Sequence, residues 1–456
     1  MNFINWQQFG LKKDPYDTFP LIEGGDLPIE QAFIGRENEK QFLNSLFQSE
    51  NRLCATVCGD VGVGKTSLAN FHKFIWKYHT EKRLFSFRRE IEACTELLNK
   101  KNFIIEIIGS VLREIRLLNP ELLKKDLLTK LSQIVDISQT MSISFGATAL
   151  SFGANYGQDK GFVQPHQFSM VLIEEYFISL IDFIKNNEIN GIKYEGLVVH
   201  VNNFDVVLSD KKEHKKVIQF FNEIRDMLQV SDVYYLFLGP NHFFKDIISS
   251  QQRVKSIFIQ TPLKINPLSK TEIVQAFEKR MRLLKSDDVK DFIKPIEDEV
   301  IYRLYDLYRG DIRSIMSGVR DILGQSSEKL SKTLSLDEAK LLLGQERWEK
   351  IEKAIKLTPD QKRILLHLAQ TDKYICQKDV AKLFKKAPSN ISGYYFKPLK
   401  DAGIIEEKNR SGRMKYWGLV SDYIPLKWVI ESKRIVQESI KRDSKQLTFF
   451  STERSL

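Results

Sequence analysis

The chain has 456 residues, 42% hydrophobic and 28% charged, which suits a soluble globular protein of two to four domains and excludes a wholly disordered chain. No stretch reaches the about 18–20 uncharged apolar residues of a membrane span. The start Met1-Asn2-Phe3-Ile4-Asn5-Trp6 has no basic region followed by an apolar run, so a cytoplasmic location and no membrane partner are expected. The net charge of +10 is uneven: residues 353–456 hold 22 Lys and Arg against 11 Asp and Glu, a net +11, which leaves −1 for the rest. A near-neutral body thus carries a basic C-terminal quarter, fit for a solvated surface, a lipid surface or nucleic acid. Four cysteines make no disulfide framework, and Cys54 and Cys58 have no nearby His to complete a metal site.

In chain order, residues 1–32 read as an irregular arm broken by Pro15, Pro20, Gly24-Gly25 and Pro28. A helix is predicted over about 37–48, then a short apolar strand Leu53–Cys58, a glycine-rich loop and a second helix from Ser67 to about Tyr78. Residues 84–90 read as a strand and 95–133 as helical. Residues 141–157 alternate apolar with small residues and predict a β-hairpin insertion. A helix over about 167–186 precedes two continuous apolar runs, Leu197–Val201 and Val233–Leu238, which read as buried parallel strands. Alternating strands and helices imply a doubly wound α/β domain over residues 33–265. Residues 266–350 turn helical, as a lid. Residues 351–442 begin with Thr358 as N-cap and Pro359 at the first helical position, and form three helices and a hairpin. The tail, 443–456, is short and polar.

Gly59-Asp60-Val61-Gly62-Val63-Gly64-Lys65-Thr66 matches G-x-x-x-x-G-K-[ST], and Ser67 opens the following helix. Glycines let backbone N–H groups wrap phosphates, and the helix N-terminus adds partial positive charge. Lys65 would reach the β- and γ-phosphates of ATP, and the Thr66 hydroxyl would ligate Mg²⁺. The second strand of such a site ends in acids in P-loop ATPases, but here it ends Val201-Asn202-Asn203-Phe204-Asp205. Neither amide is a general base. Asn202 could still hold a Mg²⁺-bound water, and Asp205 is the nearest carboxylate. Slow hydrolysis or an ATP-binding switch follows. Asn241, after Gly239-Pro240, would orient water beside the γ-phosphate or serve as a plain turn residue. His200, inside an apolar strand, reads as a core histidine.

Phe33-Ile34-Gly35-Arg36-Glu37-Asn38-Glu39 resembles the F-x-G-R-E-x-E box that precedes the P-loop in AAA+ ATPases of the origin-recognition (ORC-like) type. Phe9-Gly10-Leu11 with Pro15-Tyr16 is similar to the opening of transposition- and secretion-type AAA ATPases. Arg253-Val254-Lys255-Ser256, with Ile265-Asn266-Pro267-Leu268-Ser269, resembles the segment after the sensor-1 strand. The resemblance implies that Arg253 is an arginine finger reaching a neighbour in a homo-oligomer. Gly310-Asp311-Ile312-Arg313 looks like the sensor-2 element, which makes Arg313 a nucleotide contact on the lid. Bland readings stand beside these: Arg36 and Glu37 as a surface pair, Arg253 as a solvated helix end, and Arg313 paired with Asp306 or Asp311. Arg225 is a rival finger. The asparagines at 202 and 203 depart from the family pattern.

The C-terminal segment is similar to a winged helix-turn-helix. In that motif the second helix of the turn enters the major groove of DNA and the hairpin rests on the backbone. Ser389, Asn390, Ser392, Tyr394 and Tyr395 would face the groove, and Lys385, Lys386, Lys397, Arg410 and Arg413 would meet phosphates. Tyr416 and Trp417 read as hairpin core. Gln446-Leu447-Thr448-Phe449-Phe450 looks like the short peptide that bacterial sliding clamps bind. Two functions fit: an ATP-controlled, double-stranded-DNA-binding AAA+ protein, or a STAND-like signalling ATPase whose winged helix is an autoinhibitory or protein-binding module.

Overall fold

In the computed structural model the described residues are 4–146, 169–326, 332–371, 375–411 and 414–428. The chain divides into two compact units, Phe19–Leu268 and Met1–Thr18 with Ser269–Leu456. Among the described residues no helix is long and apolar enough to cross a membrane.

The Phe19–Leu268 unit is built on a parallel sheet. Its strands are β1 (Leu53–Gly59), β2 (Leu84–Ser86), β3 (Ile91–Glu92), β4 (Gly196–Asn202), β5 (Val233–Gly239) and β6 (Leu263–Ile265). The order is β2–β4–β5–β1–β6, with β3 a further partner of β4, so β5 lies between β1 and β4. Every residue of β1, β4 and β5 is buried, which is why these strands read as unbroken apolar runs. Their side chains alternate between two cores. Cys54, Cys58, Val199, Val201, Tyr235 and Phe237 face one, which is completed by helices Lys100–Leu118 and Met170–Asn186. Ala55, Val57, Val198, Leu236 and Leu238 face the other, under helices Glu37–Ser49 and Lys65–Tyr78. Parallel strands need such crossover helices on both faces.

One expectation is overturned here. Met141–Gly146 do not open a hairpin but continue the helix Asp126–Gly146. Alternation of apolar and small residues suits a strand in isolation, but an established helix extends at one hydrogen bond per added residue. Residues 147–157 of the expected insertion lie outside the described residues.

The other unit contains helices Lys270–Leu283, Asp298–Tyr308, Ile312–Gln325 and Leu336–Ala354. Reciprocal capping boxes, Ser269 with Glu272 and Ser335 with Glu338, start the first and last of them. The first eighteen residues belong to this unit. In place of the irregular arm expected, the described residues 4–18 hold a 3-10 turn Trp6–Phe9 and pack: Phe9, Leu11 and Tyr16 are buried, Leu11 bridges Lys285, and Tyr16 meets Phe277 edge-on at 5.3 Å. Three spaced apolar residues suffice to bury a segment that has only one short helical turn, a pattern that breaker residues conceal. The C-terminal part has helices Pro359–Gln370 and Gln377–Leu383 and a helical run from Pro388 to Asp401 with a π turn at Ile391–Phe396. An antiparallel sheet follows the order β7 (Ile375–Cys376), β9 (Met414–Leu419), β8 (Ile405–Ser411). Trp417 packs against Phe396 in its core, together with Ile364, Leu365 and Val380. Ile351 joins the same core, so the expected boundary at 350/351 falls within the helix Leu336–Ala354.

Candidate nucleotide site and nucleic-acid face

The carboxyl ends of β1, β4 and β5 carry the residues singled out in the sequence. After β1 the chain turns through Gly59–Gly64 into the helix Lys65–Tyr78. Gly64 takes φ +92°, and a Cβ built on it would meet nothing within 4 Å. That open cradle at a helix N-terminus is the shape a phosphate requires. Gly59 is fixed by packing, since a Cβ there would come within 2.7 Å of the Ile265 carbonyl oxygen. Asp60 is exposed and Val61 is 56% exposed at the loop tip, whereas Val63 is buried; Gly62 takes φ +77°. Ser67 Oγ accepts from the Leu21 backbone N–H at 3.3 Å.

Lys65 is 6% exposed, and its Nζ donates to the Gly59 and Asp60 carbonyls at 2.8 and 2.9 Å. The same Nζ meets Asp205 Oδ2 at 3.1 Å, while Asp205 Oδ1 is buried without a hydrogen-bond partner. Asn202, at the end of β4, donates from Nδ2 to Thr66 Oγ1 at 2.9 Å. Asn203 adopts a left-handed φ of 65° and caps the turn Phe204–Val207 that carries Asp205. Asn tolerates that conformation better than most residues, a backbone reason for its presence. Asn241 donates to Asp60 Oδ1 at 2.6 Å, which ties the end of β5 to the phosphate loop. The structure therefore gathers Lys65, Thr66, Asn202, Asp205, Asp60 and Asn241 at one end of the sheet. His200 is fully buried, and burial pushes its imidazole well below the usual range, so it is a neutral core residue.

Arg36 has a larger part than a surface pair. It is 8% exposed, with Nη2 donating to the Val63 carbonyl at 2.6 Å and the Asn266 carbonyl at 2.9 Å, and Nη1 to Glu39. Glu37 instead pairs with Lys40. Arg36 thus clamps the phosphate loop to the chain leaving β6. The local sequence holds no sign of this, because both partners are main-chain carbonyls 27 and 230 residues away. Arg36→Ala would leave two inward-facing carbonyls without their donor, at about 1–3 kcal/mol each. A drop in the thermal midpoint is expected, together with weaker nucleotide binding. Lys would not restore it, since one ammonium lacks the planar fork. Thermal unfolding with and without ATP checks both.

The proposed fingers differ in setting. Arg253 is exposed on the one-turn helix Gln252–Lys255. Arg225 pairs with its neighbour Asp226 at 3.4 Å. Arg313 belongs to the other compact unit and is exposed in the first turn of Ile312–Gln325. Its two bland partners are engaged elsewhere: Asp306 binds Lys270 at 2.7 Å, and Asp311 caps the helix through Ser314.

In the C-terminal part, Lys385, Lys386, Ser389, Asn390, Tyr394 and Lys397 are exposed and Ser392 is half-buried. Tyr394 is 74% exposed. Tyr395 departs from expectation: it is half-buried against the core and its hydroxyl donates to Asp360 at 3.2 Å. A helical run can present only part of its circumference, and Tyr395 falls on the inner part. Lys386 lies 3.8 Å from the same carboxylate. Arg410 lies on β8 opposite Lys415, but its side chain, like Arg413 and the Gln446–Phe450 segment, lies outside the described residues.

No family model and no curated protein matches the chain. Among solved structures it is similar to the Aeropyrum pernix ORC1 protein in complex with DNA, at 12% identity, with TM-score 0.43 and coverage of 90% of this chain and 95% of that one. It is similar to the Aeropyrum pernix ORC2 protein at 15% identity and TM-score 0.43, over 94% and 98% of the two chains. Cdc6p from Pyrobaculum aerophilum gives 13% identity and TM-score 0.39 over 92% and 98%. These likenesses are of fold alone. Strand order β2–β4–β5–β1–β6, with the phosphate loop after β1 and Asn202 answering Thr66 from β4, is a doubly wound parallel α/β fold of the P-loop AAA+ kind.

Proposed function

We propose that the chain binds ATP at Gly59–Ser67, as a slow ATPase or nucleotide switch, and binds double-stranded DNA through a C-terminal winged helix. The observation that carries the nucleotide half is the convergence of Lys65, Asp205, Thr66 and Asn202 at the open cradle beside Gly64. Mg²⁺ fits the donors present, because it takes few protein ligands and keeps several waters. Thr66 Oγ1 would hold it directly and Asn202 through one of those waters. When bound, the ion neutralises charge on the β- and γ-phosphates. Lys65 would exchange its main-chain carbonyl partners for the phosphates while keeping Asp205, and Asn241 would orient water. Arg313 would report the nucleotide to the lid helices. Arg253 would complete a neighbour's site in a homo-oligomer. The tail peptide Gln446–Phe450 would be a separate contact for a sliding clamp.

The DNA half rests on charge and exposure. Lys385, Lys386 and Lys397 flank exposed Ser389, Asn390 and Tyr394, with Ser392 beside them, and Arg410 and Arg413 would add phosphate contacts. Each phosphate contact releases counterions, so binding must weaken with salt. Replacing Lys385, Lys386 and Lys397 by Ala should reduce the slope of log affinity against log salt by roughly 2–3. Gly393 lies mid-run with nothing within 4 Å of a built Cβ. Gly393→Ala should stabilise the unit by about 0.5–1 kcal/mol yet weaken DNA binding if backbone closely approaches the duplex. The deciding experiment is fluorescence anisotropy of labelled duplex DNA with and without Mg-ATP over a salt series. Salt-dependent, ATP-sensitive binding is expected. No binding in any nucleotide state would favour the STAND-like reading, which the paired amides Asn202 and Asn203 also suit.

A further inference from the structure

The strand that should end in acids ends in two amides, and the register of its neighbour supplies a carboxylate at the same level. β3 pairs with β4 in parallel, with Ile91 opposite Val201 and Glu92 opposite Asn202. The Ala93 N–H donates to the Asn202 carbonyl at 2.8 Å and locks that register. Partners in a parallel ladder project to the same face of the sheet. The cores confirm which face. Ile91 and Val201 both belong to the core under helix Lys100–Leu118. Glu92 and Asn202, one residue on, therefore project to the opposite face, where Asn202 reaches Thr66. Adjacent strands lie about 4.8 Å apart, and a glutamate is long enough to extend past the end of β4 from there. Glu92 is exposed, so its carboxylate can meet water.

We propose that Glu92 is the general base of ATP hydrolysis in this chain, in place of the acids missing at 202 and 203. This rests on the phosphate-loop reading above. In the step, a water gives one proton to the Glu92 carboxylate as its oxygen bonds the γ-phosphorus. The bond from that phosphorus to the β–γ bridging oxygen breaks, and its electron pair leaves on ADP. The proton passes to the released phosphate, and Glu92 is restored. Asp205 is the competing carboxylate, but one of its oxygens is committed to Lys65 at 3.1 Å. Its other oxygen, Oδ1, is buried away from water, so Asp205 serves to hold Lys65 in place.

The test uses the full chain as wild type, Glu92→Gln and Asp205→Asn. Phosphate release at saturating ATP, binding of a fluorescent ATP analogue with Mg²⁺, and the nucleotide retained after mixing with ATP are measured. Glu92→Gln should cut turnover by about 10²-fold or more, with analogue affinity within about twofold of wild type and ATP rather than ADP retained. The proposal is overturned by unchanged turnover in Glu92→Gln, by loss of turnover in Asp205→Asn alone, or by a wild type that binds the analogue without hydrolysing ATP. A wild type that does not bind the analogue would instead defeat the phosphate-loop reading itself.

Discussion

Lys65→Ala is expected to raise the dissociation constant for ATP by at least about a hundredfold, equivalent to roughly 2.7 kcal/mol. The magnitude follows from the setting of Nζ. It is nearly buried, and its charge meets main-chain carbonyls at 2.8 and 2.9 Å and one carboxylate. Hydrogen bonds to charged groups contribute about 1.5–3 kcal/mol each, and a phosphate would receive at least one of them. The same substitution removes the partner of Asp205, whose Oδ1 already lacks one. A part-buried carboxylate stripped of its cation destabilises the fold, so the thermal midpoint should fall as well. Lys65→Met keeps the aliphatic stem and separates packing from charge. Calorimetric titration with ATP and Mg²⁺ reads the affinity. Wild-type affinity in either variant would remove the phosphate loop from the account.

How much of this was legible depended on distance along the chain. Gly59–Thr66 was readable because strand, loop and helix follow one another, and turn chemistry is local. β4 and β5 were readable because a strand buried on both faces must be apolar throughout. The capping residues Thr358 and Pro359 marked a helix start for the same local reason. What stayed hidden was pairing at long range. Arg36 acts on carbonyls, which have no residue type to recognise. Glu92 gains its place from strand register, and residues 91–94 carry no prediction. The short strand β3 has only two residues, too few for any period. Met141–Gly146 failed for a different reason: strand-like alternation lost to a helix already under way. Tyr395 failed because two adjacent tyrosines on a helical run cannot share one face.

Restoring the acids should act unequally at the two positions. Asn202→Asp places a carboxylate beside Thr66 Oγ1, which could then donate to it and hold the metal's water shell against a charge. A gain of about 1.5–3 kcal/mol for that contact means roughly a ten- to hundredfold lower Mg²⁺ requirement. Asn202 is 7% exposed, so without metal the new charge would be nearly buried and would lower the thermal midpoint. Mg-ATP should recover it. Asn203→Glu meets a backbone obstacle, because φ is 65° there and a longer side chain loses the tolerance of Asn, at about 1–2 kcal/mol. Its catalytic gain depends on Glu92. If Glu92 already accepts the proton, Asn203→Glu adds little in the wild-type background and restores turnover in Glu92→Gln. If no base is present, it speeds hydrolysis equally in both backgrounds. Turnover in the four combinations of residues 92 and 203 distinguishes these outcomes, since a shared role appears as non-additivity. The same measurement repeated with duplex DNA would show whether DNA changes that turnover.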